Sequence, residues 1–146
     1  MNETEQAQAF EQYMWDSCRK LFEEYGGDWQ RLSATEQEVV VLWRAEADIY
    51  NGGILQFVCN WGQQHLQQAM TIMDKIGAHQ SAALLRKAEQ ALAYLIDDVR
   101  IQELWDIPQY LSAEAEAVLD AADQAYWEDS DHMMLKAYRH YLADAV

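Results

Sequence analysis

Asp129-Ser-Asp-His132 is the place where a carboxylate and an imidazole stand three residues apart, a spacing that one helical turn can convert into two metal ligands. The pair stands alone. The four histidines, His65, His79, His132 and His140, form neither a His-Glu-x-x-His pair nor the two Glu-x-x-His pairs that a di-iron bundle requires. Asp129 and Ser130 also sit where a helix cap is expected, and capping is the stronger assignment. Cys18 and Cys59 are isolated rather than in a Cys-x-x-Cys arrangement, which fits two buried thiols in a reducing compartment better than a disulfide or a zinc site. No Gly-x-Ser-x-Gly elbow and no Gly-Lys-Ser/Thr phosphate loop occurs. Met70, Met73, Met133 and Met134 read as core packing rather than a cofactor box. No catalytic, cofactor-binding or metal residues are therefore assigned, and no cofactor is expected. An acidic chain always offers carboxylate pairs, so acid-base chemistry stays open as an alternative, with a pocket around Glu46, Gln56, Asn60 and His65 as its expected place.

Carboxylates dominate the remaining chemistry. The chain carries 25 Asp and Glu against 10 Lys and Arg, a net charge of −15. Such a balance disfavours direct binding to nucleic acid, which needs a basic footprint to replace phosphate counterions. Eleven of the acids lie between Asp97 and Asp131 with Arg100 as their sole basic neighbour, so this stretch holds −10 and the rest −5. From Leu111 onward, Ala115, Val118, Leu119, Ala122 and Tyr126 define an apolar helix face, and Glu116, Asp120 and Asp123 recur at i, i+4 and i+7 on the opposite one. Charges on such a stripe are about 5–6 Å apart, comparable to phosphates recurring every ~3.4 Å along a nucleic-acid strand. Two readings follow: a solvated helix face, or a phosphate-like surface for a basic partner, built from Asp97, Asp98, Glu103, Asp106, Glu116, Asp120 and Asp123.

The elements that must position these residues are helices. Gly and Pro are scarce, good helix formers are abundant, and apolar residues recur at helical spacing with no convincing strand alternation. The expectation is a single all-α domain over residues 1–146, of six to eight helices, with residues 1–8 frayed and 97–131 strongly acidic. Half the residues are apolar, enough for a packed core. Phe10, Tyr13, Met14, Cys18, Leu21 and Phe22 form a first stripe ending near Gly26-Gly27. Ser33-Ala-Thr-Glu36 has the form of a capping box that opens a helix running to Tyr50. Ile54, Phe57, Val58 and Trp61, continued by Leu66 to Ile76, lead toward Gly77. A helix over 81–97 buries Leu84, Leu85, Ala88, Leu92 and Leu95. Pro108 should break any short helix holding Ile101, Leu104 and Trp105. The last helices span 112–127 and 131–143, with Ser112 and Ser130 or Asp129 as caps. The longest apolar run, Val39 to Trp43, is far too short to cross a bilayer, no signal segment opens the chain, and a cytoplasmic protein with no membrane partner is expected.

Between two of these apolar segments stands Asn51-Gly52-Gly53. Asn and Gly tolerate the left-handed backbone that ends a helix, so a bend is the favoured reading over a ligand loop. The surrounding Glu46-x-x-Ile-Tyr-Asn-Gly-Gly-Ile-Leu-Gln-Phe-Val-x-Asn, followed by Ile76-Gly77-Ala78 and the Ala-rich 81–91 helix, resembles the core of a bacterial domain family of unknown function named for an acidic DNA-mimic protein. Glu46, Asn51, Gly52, Gly53, Gln56, Phe57 and Asn60 match that family's pattern, whereas Ile54 and Val58 stand where aromatics are usual. The resemblance implies an all-helical, dimeric domain whose namesake occupies the DNA-binding surface of a transcription factor. It implies no enzyme activity and supplies no catalytic residue. The expected function is an acidic protein-protein interaction module, with a basic and DNA-binding protein as partner. The alternative is a toxin- or enzyme-neutralising protein, which exposure of Trp105 or Trp127 beside the acids would favour.

Overall fold

The computed structural model describes residues 1–143, and these fold into a compact all-α domain. Its α-helices are α1 (Glu3–Arg19), α2 (Ala34–Gly52), α3 (Ile54–Trp61), α4 (Gln63–Lys75), α5 (His79–Leu92), α6 (Ala113–Trp127) and α7 (Met133–Tyr141). A π-helical turn, Lys20–Glu24, extends α1, and 3-10 turns form at Trp29–Arg31, Ala93–Leu95 and Leu104–Tyr110.

Helix ends are set by local side chains where the sequence offers them. Ser33 Oγ accepts from Glu36 N at 3.1 Å while Glu36 accepts from Ser33 N at 2.9 Å, the reciprocal box expected at the start of α2. Asn2 and Glu5 form a second box at 2.8 and 3.2 Å, so α1 starts at Glu3 and residues 1–8 are not frayed as expected. Both boxes satisfy donors that a helix N-terminus otherwise leaves open, worth about 1 kcal/mol each. Ser112 caps α6 through Ala115 N, and Asp129, rather than Ser130, accepts from Met133 N at the start of α7.

The core runs through the centre of the helix set. α2 packs against α1, α3 and α4; α5 lies between α4 and α6; and α7 closes on α1. Phe10, Leu42, Ile49, Ile54, Phe57, Leu66, Met73, Leu85 and Met133 are fully buried in one continuous cluster. Each side chain of that size contributes roughly 1.5–3 kcal/mol on removal from water. Cys18, Leu21, Leu32 and Val40 form a smaller cluster beside it.

Besides the start of α1, four features differ from the sequence expectation. The wider π turn shifts the side-chain phase after Arg19, which leaves Phe22 exposed instead of continuing the α1 stripe. The apolar run from Ile54 to Ile76 is divided at Gly62, whose φ of +90° ends α3 and opens α4. The fifth helix begins at His79 and tightens into a 3-10 turn after Leu92, leaving Asp97 outside it. Pro108 sits inside the 3-10 run Leu104–Tyr110 rather than ending it.

Candidate partner-binding surface

The acids of the 97–131 stretch divide into two sets according to what their carboxylates touch. Asp98 lies beside Arg100, whose guanidinium donates at 3.0 and 2.7 Å, and with the Arg100 N–H this holds the Asp98 carboxyl down to about 2. Asp106 accepts from the backbone of Gln102 and Glu103, both at 3.0 Å, and so caps the 3-10 turn. Asp129 caps α7. Asp131 is buried, accepts from Ser81 N at 2.7 Å in the first turn of α5, and meets Lys136 at 3.4 Å. Asp123 is also buried: it reaches from α6 across to α3 and accepts from Ile54 N at 2.8 Å. Its desolvation raises the carboxyl pKa, against the lowering effect of that hydrogen bond.

Asp123 therefore does not belong to the outward stripe on which helical spacing placed it. Its position on α6 turns it toward α3, where an open helix N-terminus supplies the donor that Asp123 needs in the interior. The other expected members are at the surface. Asp97, Glu103, Glu116 and Asp120 are exposed, as are Glu114 and Glu128, and none of the six forms an ion pair among the described residues. Glu116 and Asp120 stand one turn apart on α6, with Glu114 in its first turn. Charges of one sign at that spacing, facing water, form a negative field that is unneutralised locally.

The Asn-Gly-Gly segment serves the fold. Gly53, at φ +93° and ψ 176°, occupies a backbone region essentially reserved for glycine, and a Cβ there would overlap Asp123 Oδ2. Gly52 lies beneath Gln56 Oε1, again with no room for a Cβ unless Gln56 moves. Gln56 is held in place: it accepts from Asn51 Nδ2 at 3.1 Å and donates to Asp48 at 3.1 Å, and Asp48 accepts from Trp61 Nε1 at 3.0 Å. Phe57 is fully buried, and Asn60 Oδ1 accepts from Trp105 Nε1 at 3.1 Å. Glu46, nine-tenths buried, accepts from Tyr126 Oη at 2.9 Å. Through these contacts the α2–α3 corner is tied to α6, by Glu46 and by the Asp123 carboxylate against Gly53, and to the acidic 3-10 turn, by Asn60.

Exposed apolar side chains lie next to the free acids. Trp105 is 53% and Trp127 39% exposed, although each indole N–H is fixed, Trp105 to Asn60 and Trp127 to the Ile49 carbonyl at 2.8 Å. Ile96, Val99 and Leu104 are exposed in the same stretch, and Ile96 and Leu104 form part of the rim of an apolar cavity of about 120 Å³ floored by Val58, Leu66, Leu92, Leu95 and Ile107.

The pocket expected around Glu46, Gln56, Asn60 and His65 does not form from those four residues, because each engages a different partner. His65 Nε2 accepts from Arg44 at 2.9 Å, and Arg44 lies over the rings of Trp61 at 3.8 Å and Trp29 at 4.8 Å. Burial and the Arg44 charge both lower the His65 pKa. Spacing gave no sign of this cation-aromatic stack, whose members come from four separate elements. Cys18 and Cys59 are free and buried, with thiols pushed up to about 11 mainly by desolvation, as befits unreactive core sulfurs. Among the described residues no three His, Cys, Asp or Glu side chains are arranged to hold a metal ion, and no helix is long and apolar enough to cross a membrane.

A family model described as DMP19-like protein matches residues 30–145. No curated protein and no solved structure matches the chain.

Proposed function

The chain belongs to the DMP19-like protein family, and from that premise we propose that it is an acidic protein-binding module that takes the place of DNA on the basic surface of a DNA-binding protein. One feature carries the proposal: Asp97, Glu103, Glu114, Glu116, Asp120 and Glu128 are exposed within one stretch of chain and form no ion pair among the described residues, while Asp98, Asp106, Asp123, Asp129 and Asp131 are engaged internally. A basic surface evolved to hold phosphates recognises closely spaced negative charge, and closely spaced carboxylates on α6 and its flanks supply it. The Asp98–Arg100 pair and the capping acids contribute to fold and field but present little free charge.

The test is competition. Captured at low ionic strength, a basic partner should be displaced by duplex DNA and should dissociate as salt is raised through the range where the Debye length falls from about 10 Å toward 3 Å. Recovery of no basic partner, or a complex that duplex DNA leaves intact, contradicts the proposal.

A second reading, neutralisation of a toxin or enzyme through a mixed apolar and acidic patch, is favoured by the exposed and already oriented faces of Trp105 and Trp127. Rigid aromatic side chains lose little freedom on binding and commonly dominate an interface. Under this reading Trp105→Ala weakens partner binding by about tenfold or more, the equivalent of ~1.4 kcal/mol, with a shallow salt dependence. Under the DNA-substitute reading the same variant changes affinity by less than about threefold, and replacing Glu116 and Asp120 by amides has the larger effect.

A further inference from the structure

A second concave site lies between α1, α2, the turn before α7 and α7 itself. It is a crevice of about 340 Å³ walled by Glu11, Met14, Trp15, Trp43, Glu46, Ala47, Tyr50, Asp129 and Met134. Among the described residues three carboxylates line it and no Lys or Arg does. Glu46 is the most enclosed. One of its oxygens accepts from Tyr126; among the described residues no other donor reaches the carboxylate, yet no fully enclosed polar side-chain atom lacks a partner. The second oxygen of this nine-tenths-buried carboxylate is therefore not sealed in the interior, and the crevice is the opening that Glu46 lines.

The walls narrow the choice of donor. Trp15 and Trp43 meet edge to face with centroids 5.7 Å apart, and Tyr50 packs similarly on Tyr126 at 5.8 Å, so the aromatic surface is fixed in place. Aromatic faces attract cations that carry hydrocarbon, and a carboxylate beside them completes the recognition of an ammonium group. A metal ion is disfavoured by geometry, since the acids are not grouped to share one. An anion is disfavoured by three negative walls. Glu11, Met14 and Trp15 come from α1, ahead of the matched residues 30–145, so the site depends on a part of this chain outside the family match.

We propose that this crevice binds a protonated organic amine, with the ammonium at the outward oxygen of Glu46 and the alkyl portion against Trp15, Trp43 and Tyr50, while Glu11 and Asp129 add negative potential from the walls. The site is independent of the acidic surface and of its proposed partner. Binding ionises Glu46. The groups facing this carboxyl are Glu11 from α1, Tyr50 from its own helix, Tyr126 from α6 and Asp129 from the turn; the two acids oppose its ionisation, and a bound cation reverses their effect. Affinity accordingly rises with pH through about 7, with release of a proton.

Isothermal titration calorimetry with pentylamine, and with pentanol as its neutral counterpart, tests the site. The amine should bind and the alcohol should not. Glu46→Gln, which keeps an acceptor for Tyr126, should weaken amine binding about tenfold or more, as loss of one charge-assisted contact implies. Glu11→Gln, at an exposed position where folding is not at stake, should weaken it by a smaller factor, and the combined Glu116→Gln and Asp120→Asn variant should leave it unchanged. Cadaverine and a blocked lysine amide separate the two sources of such a group: binding of cadaverine alone assigns a free amine, and binding of both assigns the alkylammonium of a lysine side chain. Equal binding of pentylamine and pentanol, or a loss in the Glu116/Asp120 variant as large as that in Glu46→Gln, would overturn the proposal.

Discussion

Glu46 shows how one side chain can both tie two helices together and be a chemically poised group. Burial holds its carboxyl up to about 7 from an ordinary 4.5; the Tyr126 hydrogen bond pulls it down, and Asp129 and Glu11 push it up. A carboxyl raised in the folded state stabilises the fold while protonated, so its contribution is complete below about pH 4.5 and is lost as pH rises through about 7. Over that window the stability of the protein relative to its Glu46→Gln variant should fall by up to about 3 kcal/mol, measured by urea unfolding at a series of pH values. A flat difference would show that Glu46 ionises as readily folded as unfolded. The comparison isolates Glu46, because Glu36, Glu38 and Asp74, whose pKa values are lowered, change stability in the opposite sense and are common to both proteins. The family resemblance singled out Glu46 but could not reveal its enclosure, since Tyr126, Asp129 and Glu11 are distant in the chain.

At the scale of elements, what was legible was what is local. The Ser33–Glu36 box, the bend at Gly53, the Ser112 cap and the apolar periodicity of α5 and α6 each depend on residues within a few positions, and each was visible as spacing. What escaped were features fixed by distant partners. Asp123 sits at stripe spacing with Glu116 and Asp120, yet its hydrogen-bond partner Ile54 is 69 residues away, so periodicity placed it on the wrong side. The break at Gly62 was hidden because apolar residues continue on both sides of it. The Trp15–Trp43 pair that walls the crevice carries no sequence signal at all, being a contact between two helices. The α2–α3 corner is the test case for the local reading. Gly53→Ala must place a Cβ against Asp123 in a backbone region that L residues avoid, and urea unfolding should show a loss of about 2–4 kcal/mol. Asp123→Ala, which strands a buried N–H at the start of α3, should cost about 1–3 kcal/mol. If both variants unfold at the wild-type midpoint, the corner is not held as described.

For the whole molecule, charge decides more than shape. A net −15 places the chain far from neutrality, and the internal hydrogen bonds of Asp98, Asp106, Asp123, Asp129 and Asp131 leave the exposed set Asp97, Glu103, Glu114, Glu116, Asp120 and Glu128 to define the outward field of the 97–131 stretch. The sequence showed where the acids are concentrated, but only the fold separates those that cap helices from those that face water. Long-range attraction from such a surface accelerates encounter with a basic protein and is screened within about 10 Å at ~0.1 M salt. The most direct measurement is low-salt affinity capture with the wild-type protein and with a variant carrying amides at the six exposed acids, each complex then challenged with duplex DNA. The account predicts a basic, DNA-binding protein retained by the wild type, released by duplex DNA and lost from the six-amide variant. A partner that the variant retains equally, or that duplex DNA does not release, would contradict it.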